Sequence, residues 1–240
     1  IAESTDSDLP TSSPYAKGDA DATIAVPYDD AYCFYYRENL ECLESAGFRI
    51  RRFSPLEGDG MPDADALYIG GGYPELHGER LEANESIRVD IKRKVLEGMP
   101  VLAECGGFMF LMNRIYADSV DINRQSETEG SVGSDGYRMC GVIDAECSKQ
   151  ERLVRFGYVE IADGTGSWLE QGETVRGHEF HYFDSTDNGA GALVKRAATG
   201  STYREIHITD TMWAGWPHLY LRSCPQFARS FFEKCRMSVH

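Results

Sequence analysis

The stretch of sequence that decides the fold reads Val101-Leu102-Ala103-Glu104-Cys105-Gly106-Gly107. Three apolar residues predict a short buried strand, and a helix is predicted to begin again at Phe108. So tight a turn between a strand and a helix needs small residues two positions before and after its centre, here Ala103 and Gly107. Cys105 would then lie at a helix N-terminus, where the dipole and free N–H groups favour a thiolate. Local sequence leaves two interpretations open, a nucleophilic cysteine or a small buried one.

A second glycine-rich turn, Gly70-Gly71-Gly72, follows the predicted buried strand Ala66–Ile69. A glycine run at a strand end lets the backbone approach a ligand closely. The turn lacks both the Lys-Ser/Thr of a phosphate loop and the GxGxxG order, so nucleotide binding is not indicated. An N–H of this turn and that of Gly106 could together face the oxyanion of a tetrahedral intermediate. Taken alone, the turn is better interpreted as an ordinary tight turn.

Strands and helices alternate around these two turns. The predicted strands are 23–26, 48–53, 66–69 and 101–103, and the predicted helices are 35–46, 85–97 and 108–112. This alternation predicts an α/β fold with a mostly parallel central sheet and helices on both faces. Functional groups of such sheets lie at the carboxyl ends of the strands, where both glycine-rich turns fall. The second half shows a polar surface excursion at 120–136, strands at 154–161, 175–183 and, weakly, 202–208, and a closing helix at 225–235.

Length and composition limit the class of protein. A chain of 240 residues suits one large α/β domain. Residues 1–22 have the composition of an acidic linker or tail containing Ser and Pro, so the domain is predicted to span 23–240. The net charge of −15 gives no attraction to nucleic acid or anionic lipid, and no apolar run could span a membrane. Neither partner is therefore expected.

Seven irregularly spaced cysteines show neither a disulfide framework nor zinc spacing. A reducing cytoplasm is the expected location, and no metal site is expected. A cysteine nucleophile needs a base, and the chain has six histidines. His178 and His181 should face opposite sides of a strand, so joint metal ligation is not expected, although His178 could face a site. His218 lies among apolar and aromatic residues and is either an oriented base or a satisfied core histidine.

Several motifs occur together in one order, and the ordered set is far more specific than any single motif. They are Ile24–Val26, Cys33–Leu40, Phe53–Leu56, Leu67–Glu75, Ala103–Gly107, Phe156–Glu160 and Arg176–Tyr182. This set resembles the glutamine amidotransferase domain of cobyrinic acid a,c-diamide synthases, from about Thr23 to the closing helix. The resemblance implies a flavodoxin-like fold of the class I, triad-type glutamine amidotransferases.

The resemblance also implies roles for individual residues. Cys105 would attack the side-chain amide of glutamine, and a histidine from a late loop would act as the base. That family motif usually reads Tyr-x-His-x-His-Phe, whereas this chain has Trp216-Pro217-His218-Leu219-Tyr220-Leu221. His218 is then the base, and Tyr220 replaces the second histidine, at a position that commonly holds the group orienting the base. The remaining implied residues are Gly71, Gly72 and Gly106 as oxyanion donors and His178 and Glu179 as glutamine contacts.

The family further implies a partner. Ammonia would pass to an N-terminal synthase domain, in cis or in trans, which uses ATP and Mg to amidate the a and c carboxylates of cobyrinic acid in cobalamin biosynthesis. This sequence has no phosphate loop and no room for that domain, so it should at most hydrolyse glutamine and needs no cofactor itself. Two alternatives stay open. One is the same role toward nickel-sirohydrochlorin in methanogens, and the other is a non-catalytic docking or regulatory module, which Pro217 and Tyr220 keep open. A homodimer is also compatible with the sequence.

Overall fold

The computed structural model describes residues 22–58, 60–117 and 136–237. The predicted linker at 1–22 lies outside this part of the chain, except for Ala22, which begins the first strand. The predicted excursion at 120–136 also lies outside it, except for Gly136. Among the described residues, no helix has the length and apolar character needed to cross a bilayer.

The described residues form fifteen strands and five α-helices. The strands are β1 Ala22–Pro27, β2 Phe48–Phe53, β3 Ala66–Ile69, β4 Val101–Glu104, β5 Arg114–Tyr116, β6 Tyr137–Arg138, β7 Glu146–Lys149, β8 Arg155–Asp163, β9 Val175–His181, β10 Phe183–Ser185, β11 Ala192–Arg196, β12 Thr202–Glu205, β13 His207–Ile208, β14 Met212–Gly215 and β15 His218–Tyr220. The helices are α1 Arg37–Ala46, α2 Gly78–Ala83, α3 Glu85–Leu96, α4 Gly106–Leu111 and α5 Pro225–Met237.

A six-stranded sheet forms the centre, in the order β13-β14-β4-β3-β1-β2. Every neighbouring pair is parallel except β13 with β14, which confirms the predicted mostly parallel sheet. Successive side chains of a strand point to opposite faces, so each strand contributes to two cores. In β3, for example, Leu67 and Ile69 join one core, while Ala66 and Tyr68 join the other.

Helices cover both faces of this sheet, as predicted. Helix α3 packs on one face through Ile87, Ile91 and Val95, which recur at four-residue steps and are buried. Helices α1 and α5 pack on the other face, where Leu43 and Phe231 are fully buried. The strand-helix alternation seen in the first half of the sequence therefore builds the layered part of the fold.

The second half of the chain forms two further sheets, which the sequence did not reveal. One has the order β10-β7-β5-β6, and the other, fully antiparallel, has the order β12-β11-β8-β9-β15. The second packs one face into the core shared with α1 and α5, through Val159, Ile161 and Val194. After β14 in the central sheet, Trp216 and Pro217 lead directly into β15 of the five-stranded sheet. This crossing brings the two sheets together beside Cys105.

Candidate active site

Cys105 occupies the predicted strand-to-helix turn between β4 and α4, with φ 48° and ψ −105°. A positive φ is uncommon for a residue other than glycine and is strained, so the surroundings must hold it in place. The Cys105 N–H donates to the Gly215 carbonyl at 2.8 Å, and the Gly107 N–H donates to the Gly70 carbonyl at 3.0 Å. A Cβ on Gly107 would lie 2.2 Å from the carbonyl oxygen of Ile69. Close packing of α4 against β3 therefore requires the small residue that the turn predicted.

Cys105 and His218 line the same cavity, which has a volume of about 320 Å³. His218 lies at the start of β15, directly opposite His178 of β9, and the two rings stack with their centroids 4.9 Å apart. Phe34 packs its ring against His218 in an edge-to-face contact at 4.8 Å. Four of the predicted site residues thus line one cavity, Gly72 and Cys105 following strands of the central sheet and His178 and His218 lying on the five-stranded sheet.

Two buried polar side chains hold β15 in position. The Glu104 Oε1 accepts a hydrogen bond from the Leu219 N–H at 3.1 Å, and its Oε2 accepts one from the Tyr68 hydroxyl at 3.0 Å. Asn39 of α1 donates to the Leu219 carbonyl at 2.7 Å and accepts from the Leu221 N–H at 2.9 Å. Sequence reasoning missed both residues. The available signal was Glu104 itself, an acid at the end of an otherwise apolar buried strand.

The glycines predicted to stabilise an oxyanion have different roles. The Gly71 N–H already donates to the Phe34 carbonyl at 3.2 Å, so it is not available to an oxyanion in this structure. Gly71 instead makes room for the base, because a Cβ there would lie 2.2 Å from Cε1 of His218. A Cβ on Gly106 would lie 3.0 Å from the backbone nitrogen of Gly72. The amides of Gly72 and Gly106 are therefore close together, and they remain the candidate donors.

Tyr220 and Glu179 do not reach the positions expected from the sequence. The Tyr220 ring packs edge-to-face on Tyr36, and the side chain is 39% exposed. Among the described residues, Nδ1 of His218 has no hydrogen-bond partner, so the Tyr220 hydroxyl does not hold it. Glu179 is buried on the side of β9 opposite His178, accepts a hydrogen bond from the Tyr203 hydroxyl and does not line the cavity. Neighbouring residues of a strand point to opposite sides, which explains this placement.

Comparison with protein families decides what kind of site this is. Residues 23–223 match the CobB/CobQ-like glutamine amidotransferase domain. The chain belongs to this family. The match includes both glycine-rich turns, Cys105 and His218. The domain is therefore a glutamine amidotransferase, and the cavity that Cys105 and His218 both line is the candidate for its active site.

Curated relatives of this amidotransferase domain include two proteins named cobyrinate a,c-diamide synthase. The protein from Caldanaerobacter subterraneus subsp. tengcongensis is 37% identical over 216 residues, which is 88% of this chain and 45% of the relative. The one from Methanothermobacter thermautotrophicus is 37% identical over 213 residues, 87% of this chain and 43% of the relative. The chain thus spans less than half the length of these relatives.

Solved structures show the same fold. PurLQS from Thermotoga maritima matches with a TM-score of 0.55 at 12% identity, covering 91% of this chain and 99% of that one. A crystal structure of a glutamine amidotransferase matches with a TM-score of 0.55 at 18% identity, covering 89% and 98%. At these identities the likeness concerns the fold alone.

Burial disfavours the charged forms of both Cys105 and His218. Burial raises the pKa of the Cys105 thiol to about 12, and the Glu75 carboxylate raises it further. Burial also lowers the pKa of His218 to about 3, with His178 and His181 acting in the same direction. The thiolate expected from the helix N-terminus is therefore not the resting state, because loss of solvation outweighs the short helix α4. A neutral imidazole that lines the same cavity as a neutral thiol is in the protonation state that a general base needs.

Proposed function

We propose that this domain hydrolyses the side-chain amide of glutamine and supplies the ammonia for amidation of the a and c carboxylates of cobyrinate. The observation that carries the proposal is the strained cysteine elbow, which presents Cys105 in a cavity that His218 also lines. The names of the curated relatives support the acceptor. A synthase domain, in cis or in trans, would carry out the amidation with ATP and Mg.

In the first half of the reaction, Sγ of Cys105 bonds to the amide carbon while Nε2 or Nδ1 of His218 takes the thiol proton. The N–H groups of Gly72 and Gly106 stabilise the negative charge that develops on the amide oxygen. His218 then gives its proton to the amide nitrogen, the carbon–nitrogen bond breaks, and ammonia leaves a glutamyl thioester on Cys105.

In the second half, water adds to the thioester carbonyl and gives a proton to His218. The carbon–sulfur bond breaks, His218 returns that proton to the sulfur, and glutamate leaves. The cycle consumes one glutamine and one water, releases one ammonia and one glutamate, and restores the neutral thiol and imidazole.

An electrophilic glutamine analogue such as 6-diazo-5-oxo-norleucine tests the proposal. We expect it to alkylate Cys105 of the full chain, located by peptide mass spectrometry, and we expect Cys105→Ser to abolish this labelling. Cys33 is the exposed cysteine among the described residues, so Cys33→Ser is the matched control and should keep the labelling at Cys105. If Cys105 stays unlabelled even when a synthase domain is present, the domain is a non-catalytic module and the proposal fails.

A further inference from the structure

Two oppositely charged side chains line the active-site cavity and have no part in the reaction steps above. Glu75 lies in the 3-10 turn Pro74–His77, directly after the glycine-rich turn, and Lys149 ends β7. Among the described residues that line the cavity, these are its one carboxylate and its one lysine or arginine. A ligand that enters this cavity therefore meets one charged group of each sign.

The two groups are close but not paired. Within the described part of the chain, neither Glu75 nor Lys149 forms an ion pair with the other or with a third residue. Lys149 nevertheless lies near enough to favour the charged form of the Glu75 carboxyl, whose pKa burial raises. Glu75 is half-buried and Lys149 is exposed, so the acid lies deeper in the cavity and the lysine nearer its mouth. A small ligand that carries both charges would complement this pair.

We propose that the Glu75 carboxylate binds the α-ammonium group of glutamine and that the Lys149 ammonium binds its α-carboxylate. This inference rests on the proposed function. Glutamine has a zwitterion at one end and a neutral amide at the other, and Cys105 reacts only with the amide. Charge-assisted hydrogen bonds to the zwitterion are strong and directional, so they fix the neutral end against Sγ.

The candidates for this role that the sequence indicated fit it less well. The Tyr36 hydroxyl lies 2.8 Å from Nδ1 of His178, and the His178 ring stacks on His218. His178 therefore contacts the base, while Glu179 is buried away from the cavity. Neither supplies a free charge facing the substrate, whereas Glu75 and Lys149 do.

Binding at Glu75 would also link recognition to reactivity. The Glu75 carboxylate is the charged group that most raises the pKa of the Cys105 thiol. An ammonium group placed against Glu75 cancels this charge, which makes the thiolate easier to form. The thiol would then become more reactive when an amino acid with a free α-ammonium group occupies the cavity, and would stay unreactive in its absence.

A cycle of substrates and variants tests the assignment. Ammonia release by the full chain would be measured with glutamine, with 4-aminobutanamide, which lacks the α-carboxylate, and with glutaramate, which lacks the α-ammonium group. Each omission should lower kcat/KM of the unaltered protein about 30-fold, the usual effect of losing one charged hydrogen bond. Lys149→Met should reduce the preference for glutamine over 4-aminobutanamide to within about threefold and leave the preference over glutaramate unchanged. Glu75→Gln should reduce the preference for glutamine over glutaramate to within about threefold and leave the preference over 4-aminobutanamide unchanged.

Matched controls and a binding measurement make the outcome decisive. Lys195→Met and Glu79→Gln change exposed residues outside the cavity and should keep both preferences. Calorimetry on the Cys105→Ala protein measures Kd for glutamine and for the two analogues. The ratios of these Kd values test the same preferences without any turnover. If glutamine reacts and binds while both variants keep the original ratios, the assignment is wrong although the proposed function stands. If the unaltered chain neither binds nor hydrolyses glutamine, with or without a synthase domain, both proposals fail.

Discussion

His218 can act as a base only in its neutral form, and its position in the fold keeps it neutral. Burial between Phe34 and His178 lowers its pKa to about 3, so the ring stays unprotonated throughout the range in which histidines usually titrate. The low pKa also makes the ring a weak base, so its effect on a thiol depends on how closely the two groups approach during the reaction. Mutation of the ring should therefore affect the rate of chemistry far more than the binding of glutamine.

We predict that His218→Ala lowers kcat for ammonia release from glutamine by at least ~100-fold, because the thiol then has no base. Tyr220→Phe should change kcat by no more than about threefold, since the lost hydroxyl does not hold His218. A coupled assay of ammonia release gives both values. A change of only a few-fold in His218→Ala would remove this histidine as the base, and a large effect of Tyr220→Phe would show that the hydroxyl approaches it during turnover.

At the scale of single residues, the sequence predicted the site residues that lie in a recognisable local motif. Cys105 has small residues at the required spacing, and His218 matches one position of the family motif. Glu75 ends the Leu67–Glu75 motif and Lys149 belongs to no motif, but nothing local pairs them, because they are far apart in sequence and line one cavity only when separate sheets are in place. The prediction that the helix N-terminus favours the Cys105 thiolate was wrong for a related reason. A helix N-terminus can be inferred from sequence, whereas the desolvation of Cys105 depends on everything packed around it.

Strand β15 is short, and it depends on neighbouring elements for its position. Glu104 at the end of β4 and Asn39 on α1 both bind the backbone of Leu219. Burial raises the pKa of Glu104 from its usual 4.5 to about 8, so the folded protein keeps a proton that the unfolded chain loses. The stability that this proton gives is fully present below pH 4.5 and is lost as the pH rises towards 8.

We predict that Glu104 lowers the unfolding free energy across this window by up to about 1.4 kcal/mol per pH unit, a contribution that His218, whose pKa is lowered, opposes below pH 6.5. Glu104→Gln should remove this contribution and make the change of unfolding free energy with pH more positive, because the amide never ionises and can still accept a hydrogen bond from the Leu219 N–H. Part of the slope should remain, since burial raises the pKa of Glu205 to about 9. Urea unfolding at intervals between pH 5 and 8 measures the slope, with exposed Glu79→Gln as the control. An unaltered slope in Glu104→Gln would show that Glu104 is ionised in the folded protein.

The sequence predicted the positions of the strands better than it predicted which strands pair with each other. Strands β1 to β4 lie where apolar runs predicted them, and parallel strands joined by helices have few permitted arrangements. Strands β8 and β9 also lie close to their predicted ranges, but nothing local states that β15 pairs with β9 rather than extending the central sheet. In the second half of the chain, strand pairing depends on packing against the core shared with α1 and α5. The periodicity of apolar residues along one strand does not indicate which strand it will pair with.

At the scale of the whole molecule, the candidate active site is lined by residues from all three sheets. Cys105 follows a strand of the central sheet, His178 and His218 lie on the five-stranded sheet, and Lys149 ends a strand of the four-stranded sheet. No single sheet supplies all of these cavity-lining residues. The catalytic arrangement therefore depends on the stability of the entire fold, including the balance of charges over its surface.

The net charge should make the thermal stability of the protein depend on salt. With a net charge of −15 at pH 7, repulsion between carboxylates should destabilise the compact state at low ionic strength. Exposed ion pairs such as Arg93 with Glu97 stabilise the folded protein only slightly, so they do not offset this repulsion. The Tm at pH 7 should therefore rise as NaCl increases from 10 to 200 mM and level off above that, once the Debye length falls below about 10 Å. Near the isoelectric point, about pH 4.8, the same salt series should leave Tm almost unchanged. A Tm that falls with salt at pH 7 would mean that attractive pairs outweigh the repulsion, and an equal rise at both pH values would point to a salt effect unrelated to net charge.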